Sequence, residues 1–211
     1  MVSNIKLAVI DIGMGNIRSI ENSLNYLSFK YKIINQPKKL EKYTHIILPG
    51  VGSYKKAMNM LNKTKFTNSI KLLVRQKKIK ILGICLGMQL LGSSSNEGGY
   101  TKGLSLIKNK TIKFSTKELK KKKIPHVGFN SIEIKSNKNN FYKNIPKQAN
   151  FYFVHSYRML VENFSDDCTT TKYGINFLSS FNKDNIYGTQ FHPEKSQNNG
   201  LNLIKNFLKQ C

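Results

Sequence analysis

The spacing of apolar positions changes half-way along this chain. In the first third, short unbroken apolar runs alternate with segments whose apolar residues recur every three to four positions. Leu7 to Ile10 is unbroken, the mark of a strand covered on both faces of a parallel sheet. Asp11-Ile12-Gly13-Met14-Gly15-Asn16 then reads as a turn. Ile17, Ile20, Leu24 and Leu27 have helical spacing. Tyr31 to Asn35 reads as a second strand. His45 to Leu48 reads as a third, stopping at Pro49-Gly50-Val51-Gly52, and Ser53 stands where it can cap the next helix. A helix over roughly Phe66 to Lys77 leads into a strand from Ile79 to Ile84. That strand ends at Cys85, and Leu86-Gly87-Met88-Gln89-Leu90-Leu91 opens another helix.

Beyond that point short runs dominate: Leu104–Ile107, Thr111–Phe114, Ser131–Ile134, Asn150–Val154, Gly174–Ser179 and Ile186–Gln190. They predict antiparallel or mixed strands joined by turns. Leu201, Ile204, Phe207 and Leu208 form the apolar stripe of a final helix. The pattern predicts an α/β fold in one domain, residues 1–211. A mixed, mostly parallel central sheet has flanking helices and an added small β layer. No internal repeat or linker interrupts it.

Composition changes this picture little. With 211 residues, one core is the default. No apolar run approaches the ~20 residues that span a bilayer. The N-terminus lacks a signal-peptide pattern, so a cytoplasmic protein without membrane contact is expected. Three scattered cysteines, Cys85, Cys168 in a polar Asp166-Asp167-Cys168-Thr169 loop, and Cys211 at the last position, predict neither a disulfide framework nor a metal site. The formal net charge is +24, from 35 Lys+Arg against 11 acids. Such a charge raises the idea of nucleic-acid binding. The lysines are spread along the whole chain, however, and the only dense run is Lys120–Lys123. Aromatic residues are not interleaved with them. Compositional drift toward Lys and Asn is the preferred reading, with no specific nucleic-acid partner.

Three segments carry chemistry. Gly83-Ile84-Cys85-Leu86-Gly87 has the strand-to-helix layout of a nucleophile elbow, where glycines permit a sharp turn and the helix start favours a thiolate. A buried core cysteine is the bland alternative. Gly188-Thr189-Gln190-Phe191-His192-Pro193-Glu194 offers an imidazole after a strand with a carboxylate two residues on, the base and its orienter. Position alone does not choose His192 over His45, His126 or His155. Pro49-Gly50-Val51-Gly52 allows backbone N–H groups to face a cleft, as an oxyanion hole requires, or is simply a tight turn. The Gly13/Gly15 turn is not a dinucleotide loop, because Arg18 stands where the third glycine belongs.

In this order, Pro49-Gly50-Val51-Gly52, Gly83-Ile84-Cys85-Leu86-Gly87-Met88-Gln89 and Phe191-His192-Pro193-Glu194 resemble the class I (triad) glutamine amidotransferases. Gly15-Asn16-Ile17-Arg18-Ser19, Pro125-His126-Val127-Gly128-Phe129-Asn130, Tyr152-Phe153-Val154-His155-Ser156-Tyr157 and the closing Lys195-Ser196 narrow the resemblance. They point to the glutaminase subunits of imidazole glycerol phosphate synthases, over nearly the whole chain.

The resemblance implies Cys85 as nucleophile, His192 as general base and acid, and Glu194 as its orienter. Val51 and Leu86 would supply oxyanion-hole N–H groups. Gly50, Gly52, Gln89, Glu97, His155, Ser156 and Tyr157 would bind glutamine. Asn16, Phe129, Tyr152 and Lys195 would face a (β/α)8 synthase partner in a heterodimer that makes imidazole glycerol phosphate for histidine biosynthesis. No cofactor or metal is implied. The Val51 N–H is expected to point away from the oxyanion site until partner and acceptor bind.

Two departures matter. The family usually has Met and Trp within the His126–Asn130 segment, and this chain has no Trp. Ser93-Ser94-Ser95-Asn96 also lacks the usual Phe. A paralogous subunit feeding ammonia to acetamidino-sugar formation therefore stands as the alternative. A catalytically dead basic binder and a stand-alone α/β hydrolase or cysteine peptidase are further rivals. The dead binder is disfavoured because Cys85, His192 and Glu194 are all present.

Overall fold

The computed structural model describes residues 5–38, 40–119, 122–161, 164 and 166–209. Its first half runs β1 (Leu7–Ile10), α1 (Ile17–Tyr26), β2 (Tyr31–Ile34), β3 (His45–Gly50), α2 (Tyr54–Lys63), α3 (Phe66–Arg75), β4 (Lys80–Cys85) and α4 (Leu86–Leu91). The second half adds β5 (Ser94–Ser95), β6 (Thr101–Lys102), β7 (Lys110–Lys113), α5 (Thr116–Leu119), β8 (His126–Ser131), β9 (Glu133–Ile134) and β10 (Asn150–His155). It closes with β11 (Tyr157–Met159), β12 (Asp167–Tyr173), β13 (Ile175–Lys183), β14 (Ile186–Thr189) and α6 (Gln197–Lys209).

One mixed sheet carries the order β2-β1-β3-β4-β14-β13-β11-β7-β5-β6, with β12 on β13 and β9 on β12. Its β2 to β14 end is wholly parallel. From β14 to β7 its pairs are antiparallel. The added β layer is the antiparallel ribbon β8–β10. Within the parallel end, neighbouring side chains go to opposite faces, as strand geometry dictates. Ile46 and Leu48 of β3 join the core under α2, α3 and α4, while Ile47 joins an aromatic-rich core under α1 and α6. Burial on both faces is why these strands read as unbroken apolar runs.

Four expectations are corrected. Leu104 to Ile107 is not a strand. Its N–H groups go instead to α4 carbonyls, Leu104 to Leu90 at 2.8 Å and Leu106 to Leu91 at 3.0 Å. The last carbonyls of a helix need such partners, and this apolar segment supplies them. Gly174 is not part of a strand; it separates β12 from β13 at a φ of +77°. The segment around Cys168, expected to be a polar loop, is strand β12 with Cys168 buried. Thr169, Thr170 and Thr171 explain it, since β-branched residues suit a pleated, packed surface. Finally, Ser53 sits at the start of α2 but makes no side-chain cap. The Tyr54 N–H donates to the Glu97 carboxylate at 3.0 Å instead. Cys211, Lys120 and Lys121 lie outside the described residues.

Among the described residues no helix is long and apolar enough to cross a membrane.

Candidate active site

The parallel pairing decides which distant segments meet. Gly50 at the end of β3 lies opposite Cys85 at the end of β4, and Thr189 at the end of β14 lies opposite Ile84. Crevices at the carboxyl ends of parallel strands are the usual ligand sites of such sheets. A cavity of about 590 Å³ opens there, lined by Val51, Gly52, Ser53, Cys85, Leu86, Gln89, Glu97, Pro125, Val154, His155, Ser156 and Tyr157.

Cys85 holds φ +55° and ψ −109°, a strained conformation for a residue with a side chain. Its surroundings enforce it. A Cβ on Gly83 would stand 2.6 Å from the Gly87 carbonyl oxygen, and one on Gly87 would stand 1.8 Å from the Leu48 oxygen. Neither position can carry a larger residue, so strand and helix meet tightly and the thiol is thrust toward the cavity. The sulfur lies 3.9 Å from the Val154 carbonyl oxygen, and the Gln190 Nε2 donates to it at 3.7 Å.

His192 is buried, and its Nδ1 meets Glu194 Oε1 at 2.7 Å. Its Nε2 has no hydrogen-bond partner among the described residues. Burial opposes a charge on this ring, yet the Cys85 sulfur and the Glu194 carboxylate outweigh it and raise the imidazole to about 10. The ring is therefore built to hold a proton beside sulfur. Its backbone is pinned as well: the His192 N–H donates to the Tyr152 carbonyl at 2.9 Å, and the Ser196 hydroxyl donates to the His192 carbonyl at 2.6 Å.

The Val51 N–H donates to the Met14 carbonyl at 2.9 Å, away from the cavity. Gly52 follows at φ +91°. Leu86 opens α4, so its N–H has no carbonyl one turn earlier in that helix.

A sequence model of the family described as glutamine amidotransferase class-I matches residues 8–211. The chain belongs to that family. It is 46% identical to the imidazole glycerol phosphate synthase subunit HisH 2 of Methanococcus maripaludis, over 97% of this chain and all of that protein. It is 42% identical to the HisH subunit of Caldanaerobacter subterraneus, over 95% of this chain and 96% of that one. Among solved structures, PurLQS from Thermotoga maritima shares the fold, with a TM-score of 0.75, 18% identity and 97% of each chain covered. These relatives do not favour the sugar-amidination alternative.

The other residues expected to matter in this amidotransferase fall into two groups. Gly52, Gln89, Glu97, His155, Ser156 and Tyr157 line the cavity. Gly50 underlies it, with its Cβ position 3.0 Å from Gly87 N. His155 spends both ring nitrogens inside the protein. Its Nδ1 meets the Tyr157 carbonyl at 2.7 Å and its Nε2 meets His126 Nδ1 at 3.0 Å. It therefore offers the cavity a wall rather than a free nitrogen.

Phe129, Tyr152 and Lys195 gather on one surface. The Phe129 and Tyr152 rings are 5.6 Å apart, and the Lys195 ammonium lies 5.8 Å from the Tyr152 ring. Asn16 sits at the start of α1, beside Gly15, whose Cβ position is 3.3 Å from Pro49. Gln190 was not singled out from the sequence. Its place two residues before His192 was the available signal, since alternate residues of an extended segment share a face.

Proposed function

We propose that this chain is the glutaminase subunit of an imidazole glycerol phosphate synthase, in a heterodimer with a (β/α)8 partner. The observation that carries the reading is Cys85, strained and turned to a cavity of about 590 Å³, beside a buried His192–Glu194 pair whose Nε2 is unspent. Nearly full-length similarity to HisH subunits supports the pathway.

The reaction follows from these groups. The Cys85 thiol gives its proton to His192 Nε2, and Glu194 holds the ring and stabilises the imidazolium. The thiolate attacks the side-chain amide carbon of glutamine, forming a C–S bond and an oxyanion. Collapse breaks the C–N bond, with the His192 proton leaving on ammonia. His192 then takes a proton from water, which attacks the thioester, releasing glutamate and restoring the thiol. The Leu86 N–H is suited to the oxyanion. The Val51 N–H joins it only after leaving the Met14 carbonyl, a peptide rotation that the flanking glycines tolerate.

Gln89 and Glu97 are suited to the α-amino end of glutamine. Both Nε2 hydrogens of Gln89 are spent on Tyr157 O and Gln190 Oε1, leaving its oxygen as an acceptor. For the partner, exposed Val127, Phe129 and Val154 form an apolar patch on the β8–β10 ribbon that reaches the cavity at Val154, with Tyr152 opposite Phe129. Exposed apolar surface of this kind marks docking sites. Lys195, over the Tyr152 ring, and Asn16 at the start of α1 would add polar contacts to the partner, and a cytoplasmic location suits the reaction.

The test uses the complex with its barrel partner. Cys85→Ala abolishes synthesis from glutamine and preserves synthesis from ammonium salts. Loss of both, or the same selective loss in Cys168→Ala, contradicts the assignment.

A further inference from the structure

Gln190 is fully buried, yet it is a polar side chain that the reaction above does not use. Its orientation is fixed by a chain of hydrogen bonds that begins at a backbone carbonyl. The Tyr157 carbonyl can only accept, so the Gln89 amide must turn its Nε2 toward it, at 3.1 Å. The second hydrogen of that Nε2 goes to Gln190 Oε1 at 2.9 Å. Gln190 is thereby left with its own Nε2 facing the Cys85 sulfur at 3.7 Å. The main chain is held too, since the Gln190 N–H donates to the Ser179 carbonyl at 2.8 Å.

We propose that Gln190 is a further catalytic residue, an N–H donor that stabilises the Cys85 thiolate, with Gln89 as the positioning residue that aims it. Besides His192, the sulfur meets two polar groups of opposite chemistry. The Val154 carbonyl at 3.9 Å accepts the proton of the neutral thiol and repels the thiolate. The Gln190 N–H gains strength once the sulfur is charged, because hydrogen bonds to an ion are roughly twice as strong as neutral ones. Moving the proton from sulfur to His192 therefore exchanges the Val154 contact for the Gln190 contact. The same donor serves again when the thioester breaks and sulfur leaves as thiolate. Gln89 thus has two duties: its Nε2 fixes Gln190 while its oxygen faces the cavity.

The inference rests on Cys85 being the nucleophile, but its test needs no glutamine. The purified chain is alkylated with iodoacetamide across pH, and modification of the Cys85 peptide is followed by mass spectrometry. The wild-type pH midpoint is the reference. Gln190→Met keeps the volume and removes the donor. It should raise the midpoint by about one pH unit, the effect of one lost hydrogen bond to an ion. Gln190→Glu keeps an acceptor for Gln89 and turns a carboxylate oxygen to the sulfur, so it should raise the midpoint at least as far. In the partner complex both variants should lower glutamine-dependent kcat with KM near wild type. A residue that merely fills space would leave the midpoint unmoved. An unchanged midpoint in whichever variant folds overturns the proposal. Failure here leaves the glutaminase reading standing, because that reading is tested separately by Cys85→Ala.

Discussion

Two turns border the same cavity, and they are built in opposite ways. At the Cys85 elbow, Gly83 and Gly87 stand where any Cβ would strike backbone within 2.6 Å and 1.8 Å. At the Val51 turn, a Cβ on Gly52 meets only the end of the Met14 side chain at 3.5 Å, and Val51 is 40% exposed. The Val51 N–H makes one hydrogen bond outward, to Met14, and that bond can be exchanged. The contrast teaches a division of labour. On the proposed function, Cys85, His192 and Glu194 are held ready, whereas the Val51 N–H is held back on a turn whose Gly52 side is open.

The largest losses should fall on the fixed side. Glu194→Gln removes the carboxylate that orients His192, and by analogy with serine triads it should lower kcat up to ~10⁴-fold. A glutaminase rate near wild type would take Glu194 out of the mechanism. Gly87→Ala forces a methyl into the Leu48 carbonyl and should cost more than ~4 kcal/mol, in the range reserved for severe core disruption. Urea denaturation measures it, and a near-normal midpoint would show that the elbow can yield.

A smaller effect concerns the wall beneath the β8–β10 ribbon. The His155 Nδ1–H donates to the Tyr157 carbonyl, the His126 Nδ1–H donates to His155 Nε2, and Asn130 approaches His126 Nε2 at 3.3 Å. This order requires both rings neutral. Burial, with Lys122 nearby, holds His126 down to about 4. Burial holds His155 down to about 3, with His126 and His192 adding to it against the Tyr157 carbonyl. Folded values below the unfolded 6.5 mean that only the unfolded chain takes up these protons at mildly acid pH. The pair therefore contributes no pH dependence above 6.5, and stability falls as pH drops from 6.5 toward 4. The slope is ~1.4 kcal/mol per pH unit for each proton. Urea midpoints at pH 7 and pH 5 check the sign; a rise at pH 5 would contradict it. Smallest of all, Gly52→Ala should cost only ~1–2 kcal/mol, the strain of a left-handed residue in open space. A loss as large as that of Gly87→Ala would erase the contrast between the two turns.

Legibility in the sequence followed the same physics. The doubly buried strands β1, β3 and β4 were readable because burial on both faces leaves an unbroken apolar run. The elbow was readable from its two glycines, although only Gly83 answers a local contact, with Gly87; Gly87 itself is held against the Leu48 carbonyl of a distant strand. Strand β12 was missed because Asp167 and its threonines look polar one by one, while in the fold they are buried and the Thr169 hydroxyl is satisfied across the sheet by Ser179 at 2.8 Å. Leu104–Ile107 was misread because its apolar character serves the end of α4, a tertiary demand that no local period reports. His155 could not be told from a ligand-binding histidine until its partner His126, 29 residues away, was located. The outward direction of the Val51 N–H is a matter of one peptide plane. The glycines announce that it can turn but not which way it faces.

On the proposed function, the site is chemically assembled and held idle by one misdirected N–H, that of Val51. The most direct measurement is the rate of glutamine hydrolysis by the purified chain, then with the proposed barrel partner, then with partner and acceptor ligand together. One missing oxyanion donor is worth about 10²–10³-fold in kcat, so the complete complex should exceed the isolated chain by at least that factor. Equal rates in all three states would contradict the gated-subunit account and point to a self-sufficient hydrolase.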